Sequence, residues 1–163
     1  MAIFIRRAKC RSCAVTHALI PAFLLTRRFD PVGTIGQALA RAVAGIGMRR
    51  IAADLGVAHA TARDWRRRYR ARAPTLAAGF AALAVELGGV APDLNPHPET
   101  AALEALAAAF GQARRRFGPS IASLWRFGAL VTGGGMLATT TTPPWAGPFG
   151  SGWMPPTPPS EGR

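Results

Sequence analysis

Hydrophobic residues recur at helical spacing through most of this chain, starting near residue 32. A first helix is predicted after Asp30 and Pro31, with an apolar face at Val32, Ile35, Leu39, Ala42 and Val43. Two more helices flank Gly56, one from about residue 48 to 55 and one from about residue 59 to 72. Pro74 is expected to end the second of these, because proline breaks the helical hydrogen-bond ladder.

Beyond Pro74 the same spacing predicts three further helices, at about residues 76–87, 99–117 and 121–131. Residues before Cys10 alternate loosely and predict one short strand or hairpin. From Thr139 onward the chain is rich in Pro, Gly and Thr, a composition that cannot pack a core and predicts disorder. The fold class is therefore predicted to be mainly α.

Residues 47–72, GMRRIAADLGVAHATARDWRRRYRAR, resemble the helix-turn-helix pattern of DNA-binding proteins at most positions that have a steric requirement. Two helices that cross steeply need a small residue at their contact, which Ala52 supplies. The tight turn needs a residue that tolerates positive φ, which Gly56 supplies. The apolar positions predicted to bury between the helices are Ile51, Leu55, Val57 and Trp65.

Charge is concentrated in the same part of the chain. The net charge is +12, and residues 1–72 hold 15 basic and three acidic side chains, a difference of +12. Residues 73–163 hold five of each sign and sum to zero. A compositional bias toward arginine would spread along the chain, so the asymmetry predicts an anionic partner, either nucleic acid or a membrane surface.

Combined with the helix-turn-helix spacing, the asymmetry favours double-stranded DNA, with the second helix entering the major groove. The alternative is an ordinary solvated basic helix. Asp64 is predicted to pair with Arg68 or to accept from a cytosine amine. Residues placed to contact base edges are His59, Ala60, Thr61, Arg63 and Arg67, and those placed to contact phosphates are Arg49, Arg50, Arg66 and Arg70.

The segment CRSCAVTH offers Cys10, Cys13 and His17 as ligands for Zn²⁺. A structural zinc site needs four ligands, and the sequence has no second Cys-x-x-Cys pair. The site is therefore incomplete, which favours two reduced cysteines in a short turn over bound zinc. Zn²⁺ is the single cofactor that the sequence suggests.

Three stretches, RAKCRSCAVTHALIPAFLL, RRIAADLGVAHATARDWRRRYRAR and LWRFGALVTGGGMLATTTTPPW, together resemble a group of bacterial transposase-like helix-turn-helix proteins of largely unassigned function. The resemblance extends from about Arg6 to Trp145. It implies a zinc-ribbon-like segment before the helix-turn-helix, DNA binding and kinship with mobile elements, but no catalysis. This sequence departs from the group in lacking the first cysteine pair of the zinc ribbon.

The residues themselves also argue against an enzyme. The carboxylates after the helix-turn-helix lie in Ala-rich helices, a proline-rich loop and the tail, without the strands on which an acidic metal-binding triad would be built. The single tyrosine, Tyr69, lies inside the basic helix, and Gly133 to Gly135 lack the Lys-Ser/Thr of a phosphate-binding loop. We therefore expect no catalytic residues.

These observations predict four parts: a partial zinc-ribbon-like segment at 1–29, a three-helix helix-turn-helix domain at 30–73, a helical region at 74–137 and a disordered tail at 138–163. The start of the chain lacks the features of a secretory signal, and no apolar run reaches about 18 residues, so a cytoplasmic, nucleoid-associated location without membrane contact is expected. Homodimerisation is left open. The alternative function is that of a helical interaction protein or transcriptional regulator whose tail and Ala-rich helices dock a partner.

Overall fold

The computed structural model describes residues 5–12, 14–19, 21, 23–26, 28–88, 90–120 and 123–138, except the side chains of His17 and Ala18. Five helices occur in these residues: α1 (Val32–Val43), α2 (Met48–Leu55), α3 (His59–Gly88), α4 (Pro98–Phe117) and α5 (Leu124–Val131). Strands β1 (Arg6–Lys9) and β2 (Thr16–Leu19) form an antiparallel hairpin in which Arg6 pairs with Leu19. The prediction of a mainly α protein is confirmed, whereas the disorder predicted for 138–163 lies outside the described residues, apart from Ala138.

The predicted end of a helix at Pro74 is wrong, because α3, which is 30 residues long, continues through Pro74 to Gly88. Pro74 lies on the exposed side of the helix, where water can reach the backbone carbonyl that proline leaves without a partner. Ala73 and Leu76, on either side of it, are buried at 0% and 1% exposure. Burial of the turns on both sides of Pro74 in one core keeps the helix continuous. The predicted domain boundary between residues 73 and 74 therefore falls inside a single helix.

Helices α1, α2 and α3 pack against one another, and Trp65, in the first part of α3, is 1% exposed. Ile35 and Leu39 of α1 and Ile51 of α2 are buried in the same cluster. Leu55 and Val57 are half-buried at its edge. Gly56 ends α2 with φ 65° and ψ 30°, the left-handed conformation predicted from the sequence, and only glycine adopts it without steric cost.

Helix α4 runs alongside α3 in the same direction. Its start is fixed near the middle of α3, where the Tyr69 hydroxyl donates to the Glu99 carbonyl over 2.7 Å. Its later turns reach the end of α3, where a Cβ on Gly88 would overlap the side chain of Gln112. The distance from Tyr69 to Gly88 is about 28 Å along a helix, and a nine-residue extended connection covers about 30 Å. The proline-rich segment before α4 therefore returns along α3 before α4 begins.

Helix α5 packs against α1 and α4. The indole of Trp125 occupies the place where a side chain at position 36 would stand, so glycine is required at that position. The turn after α5 holds the segment before α1, since the Thr26 amide donates to the Gly134 carbonyl over 2.9 Å. Buried residues of all five helices belong to one hydrophobic cluster. Within the described residues, no helix combines the length and hydropathy needed to cross a membrane.

Candidate functional site

An open concave surface, which encloses a volume of about 580 Å³, lies on the exposed side of α3, just after the turn at Gly56. One residue of α2, Met48, forms part of its edge. The remainder comes from the first three turns of α3, whose side chains at helical spacing face the same side. The lining residues are Met48, Ala60, Arg63, Asp64, Arg66, Arg67 and Arg70.

Five of the nine residues predicted to bind DNA line this surface, namely Ala60, Arg63, Arg66, Arg67 and Arg70. Arg49 and Arg50 are exposed on α2 outside the lining, while His59 and Thr61 are half-buried at the start of α3. Trp65 and Tyr69, each 1% exposed, form the opposite, buried face of the same turns. The structure thus separates an apolar inner face from an arginine-rich outer face, as the spacing predicts.

Asp64 is the acidic centre of this surface and binds three arginines. Its Oδ2 accepts from Nε of Arg68 over 2.7 Å, which confirms the predicted pairing four residues along the helix. Arg67 bonds to the other oxygen, and Nη2 of Arg28 lies 3.5 Å from Oδ2. The hydrogen bond from Arg68 is the main reason that the pKa of Asp64 lies below its ordinary value. Asp64 thereby attaches the segment before α1 to α3.

Glu99, in the first turn of α4, provides a second acidic group beneath the surface. Its side chain is 3% exposed. Oε1 accepts from Nε of Arg70 over 2.7 Å, and Oε2 accepts from Nε of Arg66 over 3.4 Å. Burial raises the pKa of Glu99, but the hydrogen bond from Arg70 and the charge of both arginines outweigh it and hold the pKa below 4.5. Glu99 is therefore a buried, ionised carboxylate that forms ion pairs with two arginines of the concave surface, Arg66 and Arg70.

Tyr69 reinforces this contact from the inner side. Its hydroxyl donates to the backbone carbonyl of Glu99. Burial, and then the nearby charge of Glu99, raise the pKa of the tyrosine well above its ordinary value of 10.0, so the hydroxyl stays protonated as a donor. The prediction of a buried apolar face therefore missed a polar link between α3 and α4.

Sequence reasoning did not find Glu99. It lies 29 residues from Arg70, and no spacing rule connects residues on two helices that are joined by a long segment. Its place directly after Pro98 was a signal for a helix start only. Among the described residues, the ion pairs include Arg66, Arg67 and Arg70 but not Arg49, Arg50 or Arg63. No carboxylate among the described residues forms an ion pair with these last three arginines.

Acid should destabilise the protein through Glu99. A carboxylate whose pKa is lowered by folding contributes stability above its unfolded pKa and loses it as pH falls through the folded value. We therefore expect the free energy of unfolding to fall below pH 4.5, the ordinary value for Glu99. Urea unfolding between pH 7 and pH 3 measures this, and Glu99→Gln should show a smaller loss on acidification. An equal loss in both proteins would show that Glu99 does not carry the effect.

The predicted zinc site is only partly described. Cys10 is in the hairpin turn, where its Sγ lies 3.0 Å from Oγ of Ser12. Cys13 and the side chain of His17 lie outside the described residues. Among the residues that the structure describes, which leave out Cys13 and the His17 side chain, no three His, Cys, Asp or Glu side chains are grouped so that they could hold a metal ion. Zinc binding by Cys10, Cys13 and His17 stays a prediction.

No known protein family, curated protein or solved structure matches this chain. The resemblance to transposase-like proteins therefore stays an expectation from sequence. The function must be inferred from the charge and geometry of the chain itself.

Proposed function

We propose that this protein binds double-stranded DNA through a helix-turn-helix formed by α2 and α3, with the first turns of α3 as the recognition helix. The observation that carries this proposal is the concave surface just after Gly56, where Arg63, Arg66, Arg67 and Arg70 converge. An α-helix fits the width of the major groove, and arginine is the side chain that most often reads guanine and phosphate.

The packing beneath the surface supports the same proposal. A recognition helix must be held firmly, because base contacts depend on where its side chains stand relative to the groove. Trp65 of α3 and Ile51 of α2 are almost fully buried and belong to the hydrophobic cluster that both helices share. The left-handed Gly56 sets the turn between them. Arginines on the outer face are thereby presented from a rigid support.

We infer a division of labour along α3. Arg63 lies one turn into the helix, is exposed and has no ion pair with another described residue, so it is assigned to base edges together with His59, Ala60, Thr61 and Arg67. Arg66 and Arg70, which are both bonded to Glu99, are assigned to the phosphate backbone. Arg49 and Arg50, exposed on α2, are assigned to phosphates of the neighbouring strand.

The protein is proposed to act without catalysis, as the DNA-recognition part of a transposase-like or mobile-element-related protein. Both carboxylates nearest the surface, Asp64 and Glu99, are already bonded to arginines, which suits a structural role. The proposed place of action is the nucleoid, and homodimerisation is left open. An interaction protein or regulator that docks a partner through its tail and helices is the competing proposal.

Binding should be strong at low salt and fall steeply as salt rises. About four to six arginine contacts to the phosphate backbone give a slope of about −4 to −5 for log affinity against log salt. Fluorescence anisotropy with duplexes selected from a random pool, and with unselected duplexes, measures both affinity and slope. Binding that does not respond to salt, or no binding to any duplex, would contradict the proposal and favour the interaction protein.

Substitutions then test the division of labour. Arg63→Ala should cost about 1–3 kcal/mol on the selected duplex only and relax the preference at one base pair. Arg70→Ala should weaken binding to all duplexes and flatten the slope by about one. Arg115→Ala is the matched control, since Arg115 is exposed near the far end of α4, outside the concave surface. Equal losses on selected and unselected DNA for Arg63→Ala would mean that α3 does not read bases.

A further inference from the structure

Glu99 belongs to α4, which contributes no residue to the lining of the proposed DNA-binding surface. Its carboxylate nevertheless lies beneath that surface, bonded to Arg66 and Arg70. The segment before α4 returns along α3, so that α4 begins beside the middle of α3. The hydrogen bond from Tyr69 to the Glu99 carbonyl fixes the backbone at that point. An acidic side chain is also favoured in the first turn of a helix by the helix dipole. The position of Glu99 is thus determined by the start of α4 and its hydrogen bond from Tyr69, rather than by the arginines alone.

The way in which Glu99 holds Arg66 and Arg70 leaves the other side of each guanidinium available. Both contacts are made through Nε, at 3.4 Å for Arg66 and 2.7 Å for Arg70. A guanidinium has five N–H donors in a planar fork, so a bond through Nε leaves terminal amino groups that can contact a second anion. Arg70 remains 66% exposed while it is bonded to Glu99. One carboxylate therefore restricts two arginines without covering them.

We propose that Glu99 is a positioning residue of the DNA interface, which holds the guanidinium groups of Arg66 and Arg70 ready to receive backbone phosphates. This inference rests on the proposed function and deepens it, because it makes the helical region after Pro74 part of the binding site. A side chain that is already ordered loses less conformational entropy when it binds its ligand. The partner is the DNA phosphate backbone, and the effect is independent of base sequence.

The sign of the effect distinguishes positioning from simple charge. Glu99→Gln raises the net charge from +12 to +13, so a purely electrostatic role predicts tighter binding and an unchanged or steeper salt slope. Positioning predicts the opposite. We expect affinity for unselected duplexes to fall about tenfold, since hydrogen bonds to charged groups are worth that much or more. The salt slope should flatten by about 0.9 for each phosphate contact that is lost.

The experiment measures anisotropy of a labelled, unselected duplex against salt for the full chain and for Glu99→Gln. The matched control is Glu86→Gln, which makes the same change of charge at an exposed position on α3. Glu86 lies 16 residues beyond Arg70, about 24 Å along the helix, which exceeds the screening length of about 10 Å at 0.1 M salt. The control should keep the affinity and slope of the parent protein.

A second variant keeps the test valid if Glu99→Gln does not fold. Arg70→Lys retains the charge but removes the planar fork, so lysine can bind either Glu99 or a phosphate but not both in the same way. It should also flatten the slope by about one. Parent-like or steeper slopes in the folded variants would overturn the positioning role while leaving DNA binding intact. Absence of salt-dependent binding by the parent protein would overturn both proposals.

Discussion

Trp65→Ala should destabilise the protein by about 3–5 kcal/mol, the usual cost of truncating a large buried aromatic side chain. Trp65 is 1% exposed and belongs to the hydrophobic cluster that also holds buried residues of α1 and α2. Alanine would leave a cavity that the surrounding buried side chains cannot fill without moving the helices that carry them. Urea unfolding monitored by far-ultraviolet circular dichroism measures the loss.

The control for this prediction is Arg63→Ala, two residues away on the opposite, exposed face of the same helix. Exposed substitutions usually change stability by less than about 0.5 kcal/mol. Trp65→Ala should therefore lose stability, and Arg63→Ala should lose DNA preference instead. If Trp65→Ala unfolds like the parent but binds DNA poorly, the inner and outer faces of α3 have been assigned in reverse.

Phe80→Ala should cost a similar amount, about 3–5 kcal/mol, although Phe80 lies in the later part of the chain. Phe80 is 1% exposed on the second half of α3, beyond Pro74. Because α3 is continuous and its buried residues belong to one cluster, the loss should lower the midpoint of the same single unfolding transition that Trp65→Ala lowers.

Phe29→Ala is the matched control, since it deletes the same atoms from a side chain that is 97% exposed. It should unfold within about 0.5 kcal/mol of the parent. The contrary result for Phe80→Ala would be two separate transitions, with Trp65→Ala affecting one and Phe80→Ala affecting the other. Such behaviour would restore the division into independent parts at 30–73 and 74–137 that the sequence predicts.

The continuity of α3 also changes how the chain can be dissected. A fragment that ends near Pro74 retains the whole net charge of +12, and from charge alone it should keep most nonspecific DNA affinity. It would, however, remove Glu99 from Arg66 and Arg70, and it would expose the buried Tyr69. Such a fragment tests how much net charge contributes to DNA binding. It does not test the contribution of the ion pairs that Glu99 forms with Arg66 and Arg70 in the folded protein. Substitutions in the full chain are the sharper approach.

Several elements were predictable from sequence because their causes are local. Helical spacing predicted the mainly α class and the positions of α1 and α4, and a glycine flanked by two apolar faces predicted the left-handed turn at Gly56. The spacing of Trp65 predicted its burial. The pairing of Asp64 with Arg68 followed from their separation by one helical turn. Each of these depends on residues that are neighbours along the chain or along one helix.

The sequence by itself determined the mainly helical class, which face of the first turns of α3 is apolar and where the positive charge is concentrated. Tertiary structure alone decided that Pro74 lies within a helix, that α4 runs parallel to α3, and that Glu99 meets Arg66 and Arg70. The physical reason is that periodicity reports on one helix at a time. The cost of a proline, the direction of a neighbouring helix and the pairing of distant charges depend on how all the buried surfaces pack together.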